Sequence, residues 1–184
     1  MREPTIARNY AEALFAAGER AGAELTETFV VLLEGVAGAI EADERVRLAL
    51  ESPRVPKPVK QRIVERALAR RAPEQFIRFL TAVIRRGRQG LIPAISRQYQ
   101  ALVDIKLNRV HAGVTVARAP DPKLAAEIQR RLSEITGQEV VPHFRENPRI
   151  LGGAIVRIGD RIMDGSLRRK LLALRRQMLG TSRA

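Results

Sequence analysis

Apolar positions recur at helical spacing from the start of the chain. Ile6, Tyr10, Ala13, Leu14, Ala17 and Ala21 fall on one face and predict a first helix, with Thr5 as its cap and Gly22 near its end. Ala7, Ala11, Phe15 and Ala16 widen this apolar arc, as expected of a helix contacted on two sides. A second helix reads from Leu25 through Phe29, Leu32, Leu33 and Val36 to Ile40. Gly35 and Gly38 weaken it by up to about 1 kcal/mol each if exposed, which predicts close approach of a neighbour. Glu44 to Leu50 predicts a short third helix, and Ser52 to Pro58, with three prolines, a loop inside the bundle. Val59, Ile63, Ala67 and Leu68 resume the helical period as a fourth. Pro73 opens a fifth helix with Phe76, Ile77, Leu80, Val83 and Ile84 as its buried stripe, while Phe79 and Ala82 lie off that stripe. Gly87 ends it, and Gly90-Leu91 leads into a sixth helix carrying Ile92, Ile95, Tyr99 and Leu102 toward Lys106. Most of these stripes are assigned to core.

Near Leu107 the period changes to two. Val110, Ala112, Val114 and Val116 alternate with His111, Gly113, Thr115 and Ala117, the pattern of a half-buried strand. Asp121-Pro122 supplies a cap and a first-turn proline, and Leu124, Ile128, Leu132 and Ile135 run to a stop at Gly137. A strand from Glu139 to Arg145 contains Pro142 and is expected at a sheet edge. Two short β-type runs, Ala154 to Ile158 and Arg161 to Met163, flank Gly159-Asp160, a hairpin turn with Gly at its first central position. Asp164-Gly165-Ser166 then starts a helix with Leu167, Leu171, Leu174 and Met178 on one face. The expected fold is α+β. An N-terminal six-helix bundle occupies 1–105, and a small C-terminal α/β domain with a short mixed sheet and two helices occupies 106–184.

Charge adds a constraint on partners. The chain has 33 Lys plus Arg against 20 Asp plus Glu, a net +13, which favours an acidic partner. Aromatic residues are 4% and Trp is absent, so stacking platforms for single-stranded nucleic acid are poorly supplied. No nucleic-acid partner is expected, although a basic nucleic-acid-binding protein is the alternative reading. A lipid-surface protein ranks below both, because the arginine pairs are spread over many helices rather than one amphipathic face. There is no cysteine, and His111 and His143 are read as too isolated for a zinc site. No phosphate loop, dinucleotide fingerprint, nucleophile elbow or HExxH motif occurs, so an enzyme is not expected and no cofactor is implied. The N-terminus lacks the composition of a leader peptide, and the most apolar run, Phe29 to Ile40, is too short to span a membrane.

The pattern Gly152-Gly153, Val156-Arg157, Gly159-Asp160 and Asp164-Gly165-Ser166-Leu167-Arg168, with Leu171 beyond, resembles the C-terminal signature of the F-type ATP synthase delta subunit. The mitochondrial relative is the oligomycin-sensitivity-conferring protein. Ala7-Arg8-x-Tyr10-Ala11-x-Ala13-Leu14-Phe15 is similar to the opening motif of the same family. Arg86-Gly87-Arg88 is a weaker echo, with Arg86 where the family often has Asn. The resemblance implies a non-catalytic stator subunit of a proton- or sodium-translocating synthase. Such a subunit links the catalytic head to the peripheral stalk at the cytoplasmic face of the cell membrane, with membrane association only through the complex. It implies that the N-terminal helix of an alpha subunit docks on Tyr10, Ala13, Leu14, Ala17, Phe79, Ala82, Val83 and Arg86. The C-terminal end of stalk subunit b is implied on the side of Gly153, Arg157, Asp160, Arg168 and Leu171, of which Gly153 and Asp160 could instead serve the fold.

Overall fold

The computed structural model describes residues 3–169, 171 and 172, and the chain divides into two compact units, Met1–Lys106 and Leu107–Ala184. The first contains α1 (Glu3–Ala21), α2 (Ala23–Ala42), α3 (Glu44–Glu51), α4 (Lys57–Leu68), α5 (Glu74–Arg85) and α6 (Ile92–Lys106). Because α1 begins at Glu3, Thr5 lies inside it instead of capping it. α1 and α2 pack on each other and on α6, α4 pairs with α5, and α1 also touches α5. Their shared core includes Ala7, Ala11 and Leu14 of α1, Phe29 and Leu33 of α2, Phe76, Leu80, Val83 and Ile84 of α5, and Ile92, Ile95, Tyr99 and Val103 of α6. The rings of Phe29 and Phe76 lie 5.7 Å apart at its centre.

Close approach does occur, but at a different glycine from those expected. A Cβ on Gly18 would lie 3.0 Å from Thr26 Oγ1 and 3.2 Å from the Tyr99 hydroxyl, so α1 meets α2 and α6 there. The Tyr99 hydroxyl donates to the Thr26 carbonyl at 3.1 Å, and Phe15 packs edge-on against the Tyr99 ring at 6.1 Å. Burial pushes the Tyr99 phenol well above its usual range, and the Glu19 carboxylate adds to the shift. At Gly35 and Gly38, by contrast, an added Cβ would meet nothing within 4 Å, so no part of the described chain approaches either. The core assignment of the fourth helical stripe also needs correction: Val59 and Ile63 remain 41% and 40% exposed.

In the second unit the elements are β1 (Arg109–Val116), α7 (Pro122–Thr136), β2 (Glu139–Glu146), β3 (Ala154–Ile158) and β4 (Arg161–Asp164), followed by helical residues at 167–169 and 171–172. The sheet order is β2-β1-β3-β4, with β1 and β2 parallel and the other pairs antiparallel. A parallel pair needs a crossover, and α7 provides it. α7 starts where its cap chemistry dictates, since Asp121 Oδ1 accepts the Leu124 N–H at 2.7 Å, and it stops at Gly137 with φ 68°. Leu132 and Ile128 of α7 cover one face of the sheet, over Ala112, Val114, Val116, Val140 and Val156. Ile135, at the end of the same stripe, is 70% exposed. β2 is an edge strand, which accommodates Pro142 without breaking a central ladder. The whole is an α+β fold, a six-helix bundle followed by a small mixed-sheet domain. Leu174 and Met178 lie outside the described residues.

Parallel register overturns the reading of the histidines as isolated. His111 aligns with Val141, and Gly113 with His143, so both rings project from the same face. They stack with centroids 5.0 Å apart, and His111 Nδ1 lies 2.8 Å from His143 Nε2. Among the described residues no group of three His, Cys, Asp or Glu is placed to hold a metal ion.

Candidate partner-binding site

In the first unit, Tyr10 of α1 and Phe79 of α5 meet edge to face with ring centroids 6.3 Å apart. This contact aligns two half-exposed helix faces. Ala13 and Ala17 follow Tyr10 at three and seven residues along α1, and both are exposed. Ala82 and Arg86 stand in the same relation to Phe79 along α5, half-buried and exposed respectively. The result is a partly exposed face with two aromatic rings in contact and small side chains beside them. Leu14 and Val83 do not belong to it as lining residues: they are 1% and 0% exposed, because they point into the bundle and support the surface from beneath.

The α5 end of this surface is held by main-chain geometry. Gly87 adopts φ 69°, its N–H donates to the Ile84 carbonyl at 2.8 Å, and the Arg88 N–H donates to the Val83 carbonyl at 3.0 Å. That pair of bonds is a Schellman stop. The Lys57 ammonium adds a bond to the Arg85 carbonyl at 3.1 Å. The Gly-Arg motif is therefore a helix terminator that presents Arg86, which has no ion-pair partner among the described residues. At the other end of the bundle Lys106 pairs with Glu19 at 2.8 Å, and that hydrogen bond and charge raise the lysine above its ordinary value.

In the second unit the motif residues serve different tasks and do not converge on one pocket. Gly153 has φ 77°, and a Cβ there would lie 2.5 Å from the Gly165 carbonyl oxygen, so this glycine is required by the fold. The crossing is fastened on both sides, as Gly165 N–H donates to the Ala154 carbonyl and Leu167 N–H to the Gly152 carbonyl, each at 2.9 Å. Asp164 Oδ1 accepts the Ser166 N–H at 3.0 Å, and Ser166 Oγ accepts the Arg169 N–H at 3.2 Å, which begins the last helix. The Ser166 backbone bond, then its hydroxyl, and the nearby Arg169 charge hold the Asp164 carboxyl below the ordinary carboxylate range.

Arg157 Nε reaches the Gly159 carbonyl at 3.3 Å and braces the hairpin tip, where Gly159 alone has positive φ, the type II′ pattern. Asp160 is exposed on that tip. Arg168 borders a depression of about 490 Å³ with Ile150, Ile155 and Leu172. Leu171 is 56% exposed. Of this set, Arg168 and Leu171 share an exposed helical segment suited to contact, while Gly153 and Arg157 hold the loop and turn.

One feature of the first unit was not legible as a site from the sequence. α2, α3 and α4 leave an apolar groove of about 560 Å³ between them, bordered by Val31, Gly35, Val46, Leu50, Ile63 and Ala67. Ile63 and Ala67 have the same helical spacing as core residues, and periodicity does not show that the space between these helices stays open.

A family model described as ATP synthase delta (OSCP) subunit matches residues 6–178. The ATP synthase subunit delta of Gemmatimonas aurantiaca is 48% identical over 177 residues, spanning 96% of this chain and 95% of the relative. That of Salinibacter ruber is 35% identical, spanning 95% and 90%. A chain in a cryo-EM structure of the Toxoplasma gondii mitochondrial ATP synthase hexamer has a similar fold, with TM-score 0.64, 20% identity, and coverage of 94% of this chain and 97% of that one. With a family match over nearly the whole length and curated relatives of such identity, the chain belongs to the ATP synthase delta (OSCP) subunit family.

Proposed function

We propose that this subunit is a non-catalytic stator element that ties the catalytic head of a proton- or sodium-translocating ATP synthase to its peripheral stalk. Among the described residues no helix is long and apolar enough to cross a membrane. The subunit would act mechanically, resting on the cytoplasmic face of the cell membrane through its complex. The observation that carries this reading is the surface built on the Tyr10–Phe79 contact. Its two rings supply apolar area, the small side chains of Ala13 and Ala17 let a helix backbone approach, and Arg86, with no ion-pair partner among the described residues, can meet a carboxylate. The partner proposed there is the N-terminal helix of an alpha subunit. The exposed helical residues Arg168 and Leu171, with Asp160 and Arg157 at the hairpin tip, form the side proposed for the C-terminal end of stalk subunit b.

Reconstitution tests the reading. ATP synthase stripped of this subunit should recover ATP-driven ion pumping when the native chain is added back. Ala13→Asp, which puts a charge on an exposed helix position and leaves the core untouched, should fold and fail to restore pumping. Equal recovery with the folded variant would remove the α1–α5 surface from the account.

A further inference from the structure

We infer that the α2–α3–α4 groove is a second docking site, separate from the α1–α5 surface, and that it receives an amphipathic helix with flanking carboxylates from another polypeptide. The groove floor is apolar: Val31, Val46, Leu50 and Ile63 border it, and Val31 is 68% exposed. A contiguous apolar hollow of about 560 Å³ is the kind of surface that soluble chains keep for a partner.

Charge selects the occupant. Among the described residues, the charged side chains lining the groove are Arg45, at the first turn of α3, and Arg71, just beyond α4. Both are exposed, and neither holds an ion pair among the described residues. No carboxylate among the described residues lines the groove. An apolar trough with cationic sides complements a helix with one apolar stripe and acidic residues beside it; it disfavours a second copy of this chain, whose net charge is +13.

Gly35 adds a steric argument. It lines the groove from the interior of α2, where glycine lowers helix stability, and a Cβ there would meet nothing within 4 Å among the described residues. The space it leaves is open toward the groove and lets an incoming backbone approach α2 closely. Gly38 carries the same cost, also meets nothing, and does not line the groove. The two glycines therefore form a matched pair for testing.

Gly35→Leu and Gly38→Leu should both raise the melting temperature of the purified chain, since each restores helix propensity at an open position. Binding to ATP synthase stripped of this subunit should then fall at least tenfold for Gly35→Leu and stay within twofold for Gly38→Leu. Equal affinities of the two variants would overturn the proposal. In the assembled complex, benzoylphenylalanine at position 35 should photo-cross-link to one segment of another subunit, with apolar residues at helical spacing and Asp or Glu beside them. Adducts confined to this chain, adducts between two copies of it, or adducts to a segment without carboxylates would each overturn it. Tyr10 is intact in every variant, so the result is independent of the α1–α5 surface.

Discussion

Replacing Gly153 by alanine should damage the second unit far more than the same change at Gly137. Both glycines sit at positive φ, 77° and 68°, where a Cβ costs about 1–2 kcal/mol. They differ in surroundings. Among the described residues nothing lies within 4 Å of a Cβ on Gly137, whereas one on Gly153 would lie 2.5 Å from the Gly165 carbonyl oxygen and 3.2 Å from Ser166 Cα. These obstacles are backbone atoms pinned by the Gly165 and Leu167 hydrogen bonds, so they cannot rotate away. Forced overpacking of this kind costs about 1–3 kcal/mol, which brings Gly153→Ala to about 2–5 kcal/mol in all. Hydrogen exchange of the Gly165 and Leu167 amides reads the effect, and a loss near 3 kcal/mol accelerates exchange about a hundredfold. Both tyrosines, Tyr10 and Tyr99, belong to the first unit, so tyrosine fluorescence verifies independently that the bundle is intact. Exchange no faster in Gly153→Ala than in Gly137→Ala would refute the steric reasoning.

Three further outcomes are expected. Gly18→Ala should gain about 1 kcal/mol of helix propensity and lose about 1–3 kcal/mol because its Cβ presses on Thr26 and on the Tyr99 hydroxyl, a net loss of up to about 2 kcal/mol seen as a lower denaturant midpoint by tyrosine fluorescence. Tyr99→Phe should cost about 1 kcal/mol through loss of the bond to the Thr26 carbonyl, read as a lower denaturant midpoint by far-ultraviolet circular dichroism because the variant removes one of the two tyrosines. The Asp164 carboxyl titrates lower in the folded chain than in the unfolded one, so its contribution is complete above the unfolded value of about 3.9 and is lost as pH falls through the lower folded value. Protection of the Arg169 amide should therefore fall on acidification in the native chain, and Asp164→Asn should flatten that component.

Local chemistry was legible in the sequence and tertiary choice was not. The Asp121 cap, the Gly137 stop, the Gly159 turn and the Asp164–Ser166 helix start each depend on a few adjacent residues, and each forms where the chain predicts it. Among the site residues, the proximity of Tyr10 and Phe79 was implied by family resemblance, and their edge-to-face contact appears only in the fold. The family resemblance groups Leu14 and Val83 with their exposed neighbours, whereas the helical period by itself puts Val83 on the buried stripe and Phe79 and Ala82 off it, as the fold has them. Glycine spacing likewise does not reveal which backbone comes near: the close approach is at Gly18, through partners as distant in sequence as Tyr99. The histidine pair required the parallel β1–β2 register, formed across α7, and no local signal encodes that alignment.

The central claim is that the α1–α5 surface receives a helix of the catalytic head, and its most direct test is a titration. The purified chain would be titrated with a peptide matching the N-terminal helix of the same organism's alpha subunit, at moderate and high salt. Saturable one-to-one binding should survive high salt, because apolar contact is screened far less than exposed charge. Tyr10→Asp should weaken it by about 1–3 kcal/mol, roughly five- to 150-fold, by removing one ring of the pair and placing a carboxylate there. No peptide binding, with tight salt-sensitive uptake of DNA or RNA instead, would contradict the account.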